Sequence, residues 1–217
     1  MLRLLFPPKC ILCRKLLKPE ETDLCHDCHK DTPEFKHGKN KIPFIAQWTA
    51  LWYYKDSVRS SILRYKFSNA QSYCAAYARM LALKIQKEQM EDLDIITWAP
   101  VSTLRRFKRG YDQSQLLANA LGAELNCPVA STLKKIRNIP PQSGIQDKAA
   151  RKANVMGAYR ARNPEYFRDK RILLIDDVVT SGSTASDCAR ILLTAGAKEI
   201  YLAAVAASDH ENNKNCR

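Results

Sequence analysis

Residues Arg171 to Thr184 read RILLIDDVVTSGST, and no other stretch limits the fold as tightly. The apolar run Ile172-Leu173-Leu174-Ile175 fits a strand buried on both faces, as in a parallel sheet. Two carboxylates follow, Asp176 and Asp177, then Val178 and Val179, then Thr180, Ser181, Gly182, Ser183 and Thr184. Beyond them the apolar spacing turns helical. Ala185, Cys188, Ile191, Leu192 and Ala195 share one face, and Gly196 stands where a helix C′ glycine would. A second apolar run, Ile200 to Ala207, comes next. Strand, loop, helix and strand in this order make a βαβ unit.

Ligands of open α/β sheets bind at the carboxyl ends of the strands. Carboxylates placed there accept hydrogen bonds from sugar hydroxyls or hold a hydrated metal. The Thr180–Thr184 turn offers backbone N–H groups and hydroxyls at a helix N-terminus, which suits a phosphate. Gly182 lets the backbone come close to that anion. No lysine sits beside the hydroxyls, so this is not a Walker A loop. A strand leading into a capped helix, with two solvated acids, is the competing reading of each piece alone. The pieces taken in order favour a ligand site.

Near the N-terminus, Cys10-Ile-Leu-Cys13 is followed after eleven residues by Cys25-His-Asp-Cys28. Two such knuckles signal a tetrahedral zinc site of four thiolates. Four thiolates leave no open position, so the expected role is structural, and His26 and His29 stand beside the site. Two disulfides are the competing arrangement, and a reducing compartment disfavours them. The segment lacks the apolar content to fold alone, and metal binding supplies on the order of 10 kcal/mol in such peptides. The expectation is a module, residues 1–40, whose first thirty residues unfold when zinc is removed while the α/β core stays folded.

The rest of the chain, 41–217, reads as one α/β domain with a disordered tail from 208. Residues 33–46 look like a linker, broken by Pro33, Gly38 and Pro43. A strand over Gln47–Tyr54, a helix capped by Ser57 and a helix over about 70–90 come next. Asp94–Ala99 reads as a buried strand. Arg105, Arg106, Lys108 and Arg109 follow it, ahead of a helix capped by Asp112 or Ser114. Four cations there suit a diphosphate. A solvated surface run is the alternative, and the place between apolar elements favours the ligand. Val129–Ile136 and Val155–Ala161 read as strands flanking a long polar loop, with helix-prone 147–154 inside it. Loops of that length in compact domains are commonly lids.

The net charge is +13, and residues 101–171 carry 15 Lys or Arg against 5 Asp or Glu. Phosphorylated ligands or nucleic acid are the partners such a balance implies. No apolar run reaches membrane-span length, and the first residues fit no secretory leader, so a cytoplasmic protein without membrane insertion is expected.

IDDVVTSGST resembles the phosphoribosyl-diphosphate (PRPP) signature of type I phosphoribosyltransferases. With the cysteine knuckles and the segment RGYDQSQLLANAL, nearly the whole chain resembles the ComF family. The family's middle motif, Arg-Gly-Phe-Asn-Gln, maps to Arg109, Gly110, Tyr111, Asp112 and Gln113, with Tyr and Asp replacing Phe and Asn. The aspartate adds negative charge near the proposed anion site. Ser102 stands where family members often carry a histidine. The resemblance implies a type I phosphoribosyltransferase-like parallel sheet flanked by helices, with an N-terminal zinc ribbon. It implies PRPP bound with Mg²⁺: Asp176 and Asp177 on the ribose, and Val178 and Thr180–Thr184 around the 5-phosphate. Arg105, Arg109 and Lys66 would serve the diphosphate, and a lid with Gln142, Arg151 and Asn154 would close over it. The implied activity is pentosyl transfer to an unidentified nucleophile, in DNA uptake by competent bacteria or in nucleotide metabolism. The alternative is a non-catalytic protein that binds single-stranded DNA, or a helicase or translocation partner of uptake, and keeps the pocket as a PRPP sensor or a relic.

Overall fold

The computed structural model describes residues 7–36, 41–68, 70–102, 106–107, 110–136 and 157–208. Chain order is α1 (His26–Asp31), β1 (Gln47–Tyr53), α2 (Asp56–Phe67), α3 (Tyr73–Lys87), β2 (Ile95–Trp98), α4 (Gln113–Leu125), β3 (Leu133–Lys135), β4 (Tyr159–Ala161), a 3₁₀ turn (Pro164–Tyr166), β5 (Arg171–Val179), α5 (Ser183–Thr194) and β6 (Glu199–Ala207). Four strands form one sheet in the order β1-β6-β5-β2, every pair parallel.

Both faces of that sheet are covered, which is why β5 is apolar without alternation. On one face, Leu173 and Ile175 pack with Ile62 and Tyr65 of α2, Tyr77 and Leu81 of α3, and Leu117 and Leu121 of α4. On the other, Ile172 and Leu174 pack with Cys188, Ala189 and Leu192 of α5. Gly196 follows the C-cap of α5 with φ of +107°, as its spacing implied.

Several local expectations are corrected. The described parts of the expected linker, 33–36 and 41–46, form a packed strap, because Phe35 and Ile42 are buried. The Phe35 ring lies 4.8 Å from Trp48 and 5.3 Å from Tyr53, and its N–H donates to Leu51 O. The strap thereby covers the outer strand β1, whose polar edge would otherwise stay open. Helix α2 starts at Asp56 with Lys55 as N-cap, so Ser57 lies inside the first turn. The strand expected over Val129–Ile136 is divided. Val129 bridges Ile96 beside β2, whereas Leu133–Lys135 pairs antiparallel with β4. Between these pieces the Thr132 hydroxyl bonds Thr97 Oγ1 at 2.7 Å, where the chain leaves the sheet. The helix expected over 147–154 and the tail 209–217 lie outside the described residues.

The cysteine segment does not stand apart from the sheet. Cys10, Ile11, Leu12, Leu24 and Cys25 belong to the same apolar cluster as Trp52, Ile62, Tyr65 and Tyr77. No described helix is long and apolar enough to cross a membrane.

Candidate functional site

Strand β5 continues through both acids to Val179, so Asp176 and Asp177 lie within it and alternate between faces. Asp177 turns toward α2, where Lys66 Nζ lies 2.7 Å from its Oδ1. Both side chains are largely shielded, at 17% and 12% exposure. Asp176 lies on the face packed by α5 and accepts the Asp177 N–H at 2.8 Å. Burial, and then the neighbouring Asp177 charge, push the Asp176 carboxyl up from 3.8 to about 7, against the pull of Lys66. The thiol of Cys188 on α5 is pushed well up by burial and then by Asp176.

A raised carboxyl favours the folded state only while protonated. The contribution of Asp176 is therefore complete below its unfolded value of 3.8 and lost as pH rises through about 7. Asp176→Asn should remove that fall. Urea unfolding should find the variant more stable than wild type at pH 8, by on the order of 2 kcal/mol after allowance for solvent. Near pH 4 the two should nearly coincide.

Past Val179 the chain turns into α5 with Gly182 as N-cap, at φ of +72°. Gly182 offers no capping side chain, and the contact from Ser183 N to Ser181 Oγ is long, at 3.5 Å, so the positive dipole end of the helix faces the turn. Ser181 Oγ lies 2.8 Å from Ser183 Oγ, which gathers two of the hydroxyls. Gly182 has a second reason to lack a side chain. A Cβ there would sit 3.1 Å from Ile42 Cγ1 of the strap. Gly182→Ala should destabilise the fold by about 1–2 kcal/mol from the left-handed backbone alone. Adding Ile42→Ala should not restore that backbone cost, and urea unfolding of both variants checks it.

The loop after β2 is anchored where it enters α4. Asp112, not Ser114, is the N-cap: its Oδ1 accepts from Ser114 N and Gln115 N, and its Oδ2 from Val101 N. Burial raises the Asp112 carboxyl, and these N–H groups offset part of the rise. The aspartate that replaces the family's asparagine thus aims both oxygens at backbone donors. An asparagine Nδ2 could not accept from Val101. Tyr111, in place of phenylalanine, donates its hydroxyl to Tyr65 O, while Tyr65 donates to Gln113 O at 2.8 Å. Gly110, at φ of +79°, makes the sharp turn. Ser102 is buried, while Arg106 and Phe107 are exposed.

The structure thus brings Lys66, Asp176, Asp177, Val178 and Thr180–Thr184 to one end of β5. Lys66, read from sequence as a cation for diphosphate, is paired with Asp177. Arg105, Arg109, Gln142, Arg151 and Asn154 lie outside the described residues. The Tyr65–Tyr111 clasp, the acceptor role of Asp112 toward Val101 and the approach of Ile42 to Gly182 have no sequence signature.

At the other functional cluster, the sulfurs of Cys10, Cys13, Cys25 and Cys28 all lie within 4.8 Å of one another. A tetrahedral zinc with bonds of about 2.3 Å needs sulfurs about 3.8 Å apart, so the four thiols fit the ion. None is in a disulfide. Against the upward pull of burial, backbone N–H groups at residues 13, 25 and 12 draw the Cys10 thiol down to about 7, whereas burial pushes the Cys13 and Cys28 thiols up.

A doubly covered parallel sheet with acids and a hydroxylic turn at one strand's carboxyl end, joined to a four-cysteine ribbon, defines a phosphoribosyltransferase-like protein with an N-terminal zinc ribbon. Two known families match accordingly. The Phosphoribosyl transferase domain matches residues 112–215, and the Double zinc ribbon domain matches residues 1–39. The chain is 27% identical to Competence protein F of Haemophilus influenzae, over 89% of this chain and 94% of that protein. It is 26% identical to DNA utilization protein YhgH of Salmonella typhimurium, over 89% and 87%. Competence protein ComFC of Streptococcus pneumoniae is 24% identical, over 87% and 77%. Among solved structures, glutamine PRPP amidotransferase from B. subtilis gives a TM-score of 0.44 at 20% identity, covering 66% of this chain and 30% of that one. Over nearly its whole length the chain is thus similar to these competence and DNA-utilization proteins.

Proposed function

We propose that this chain binds PRPP at the carboxyl end of β5 and serves the use or uptake of DNA, as the names of its relatives suggest. The observation that carries the reading is the junction at residues 176–184: a shielded acid pair with one lysine, leading into a turn with gathered hydroxyls and a helix N-terminus whose N-cap is a glycine. Carboxylates accept from the ribose 2′- and 3′-hydroxyls, and the helix N-terminus receives the 5-phosphate. PRPP enters as its magnesium complex, in which the ion offsets diphosphate charge.

Transfer breaks the C1–diphosphate bond, and the bonding electron pair leaves with diphosphate. A nucleophile forms the new bond to C1 and gives up a proton. The protein's part is positioning and charge stabilisation. Lys66 stands within one side chain's reach of Asp177 and is the described cation nearest the chemistry, with Arg105 and Arg109 assigned to the leaving group. Gln142 and Arg151, outside the described residues, are assigned to the ligand by the family resemblance alone. Diphosphate release from PRPP, assayed across a panel of bases and amines, tests turnover. Release with none of them, by a protein that binds PRPP, would leave a sensor rather than an enzyme.

A second reading has its own observation. Phe107 is 87% exposed beside exposed Arg106, and Phe67 is 64% exposed, although its neighbour Lys66 is paired with Asp177. Exposed aromatic rings among cations suit stacked bases of single-stranded DNA. Affinity for a single strand should then fall steeply with salt and drop in Phe107→Ala. Undetectable binding at low salt removes this reading.

A further inference from the structure

We propose that the zinc knuckle sets the geometry of the acid pair, with Arg64 of α2 as the positioning residue that links them. The ligand side of this proposal rests on the PRPP reading above. The link runs through a single turn of helix. Ser61 and Arg64, three apart, share one face of α2. Ser61 Oγ donates to Ile11 O at 2.6 Å. Arg64 Nη2 donates to the same oxygen at 2.9 Å and to Leu12 O at 2.6 Å. Ile11 and Leu12 are the two residues between Cys10 and Cys13, so the direction of their carbonyls is fixed when both thiolates hold one ion. The guanidinium is further seated over the Tyr73 ring, at 5.9 Å.

The next two residues belong to the other site. Tyr65 is held from both ends, by Tyr111 and by Gln113. Lys66 reaches Asp177 at 2.7 Å. Arg64 and Lys66 both lie in the last turn of α2, where Ser68 N–H still bonds Arg64 O but the carbonyls beyond it have no partner within the helix. Without metal the knuckle lacks a fixed shape. Its carbonyls then no longer hold Arg64, the last turn loosens, and Lys66 ceases to be held against Asp177. The acid pair then loses the cation that offsets its mutual repulsion. PRPP affinity thereby depends on a metal that touches no part of the pocket.

The test uses the full zinc-loaded chain carrying Arg64→Leu, with zinc content measured by chelator release. Hydrogen exchange should quicken at 62–67 and 176–182 while zinc stays stoichiometric, and PRPP with Mg²⁺ should bind about tenfold more weakly. Arg64→Leu combined with Lys66→Met should bind no more weakly than Lys66→Met alone, because Arg64 acts through Lys66. Additive losses, or exchange changes confined to 10–28, would overturn the proposal. Should Arg64→Leu fail to fold, Ser61→Ala removes one of the three bonds to the knuckle and should quicken exchange in the same two regions; unchanged exchange at 176–182 would count against the link. If zinc-loaded wild type binds no PRPP, the PRPP reading falls, whereas the exchange comparison still decides the coupling.

Discussion

Removing zinc from the folded chain should lower the melting temperature of the whole α/β sheet, not only unfold the ribbon. The sequence alone suggests the opposite, a small module that melts by itself. The packing decides between them. Cys10, Ile11, Leu12, Leu24 and Cys25 share one apolar cluster with Trp52, Ile62, Tyr65 and Tyr77. Asp23 takes a two-pronged contact from Arg79 of α3, at 2.6 and 3.1 Å. Unfolding the ribbon would expose that side of α2 and α3 and leave Ser61 and Arg64 without their carbonyl partners. Structural zinc contributes about 10–16 kcal/mol in small domains, and a loss of about 5 kcal/mol would lower the melting temperature of a chain this size by roughly 10–20 °C. Scanning calorimetry with and without chelator measures it. A separate small transition beside an unmoved main one would contradict the expectation.

Lys66→Met should be the most damaging single change at the acid pair. Asp177 is 8% exposed, and among the described residues Lys66 is the cation that reaches it. Breaking a buried pair from one side leaves an uncompensated charge and costs about 3 kcal/mol, more than the intact pair contributes. Lys66 also draws the Asp176 carboxyl down, so its loss should raise that group further. Urea unfolding at pH 8 should show the deficit, and Lys66→Met with Asp177→Asn should recover most of it, because no unpaired charge remains. A single variant as stable as wild type would mean that water screens the pair.

Much of this was legible in the sequence because it depends on local chemistry. The apolar run 172–175, the acids and the hydroxylic turn mark one βαβ crossing, and the cysteine spacing brings four sulfurs together. Asp112 caps α4 through its carboxylate, and Gly110 turns the chain ahead of it with a positive φ. Contacts distant in sequence were not legible. Phe35 and Ile42 sit among Pro and Gly residues that read as a linker, yet tertiary packing buries both. Arg64 looks like any charged residue of an amphipathic helix until its partners, some fifty residues earlier, are in place. The strand's extension through Asp176 and Asp177 was not legible for a related reason. Acids suggest a strand end, but pairing with β6 carries the ladder on to Val179.

The central claim is that the acid pair and the Thr180–Thr184 turn form a PRPP site. Calorimetric titration of PRPP with Mg²⁺ into zinc-loaded wild type and into Asp176→Asn/Asp177→Asn tests it most directly. Saturable, Mg²⁺-dependent heat in the wild type, lost in a double variant that remains folded, is the expected result. No binding by folded, zinc-loaded wild type, or equal binding by both proteins, would contradict it.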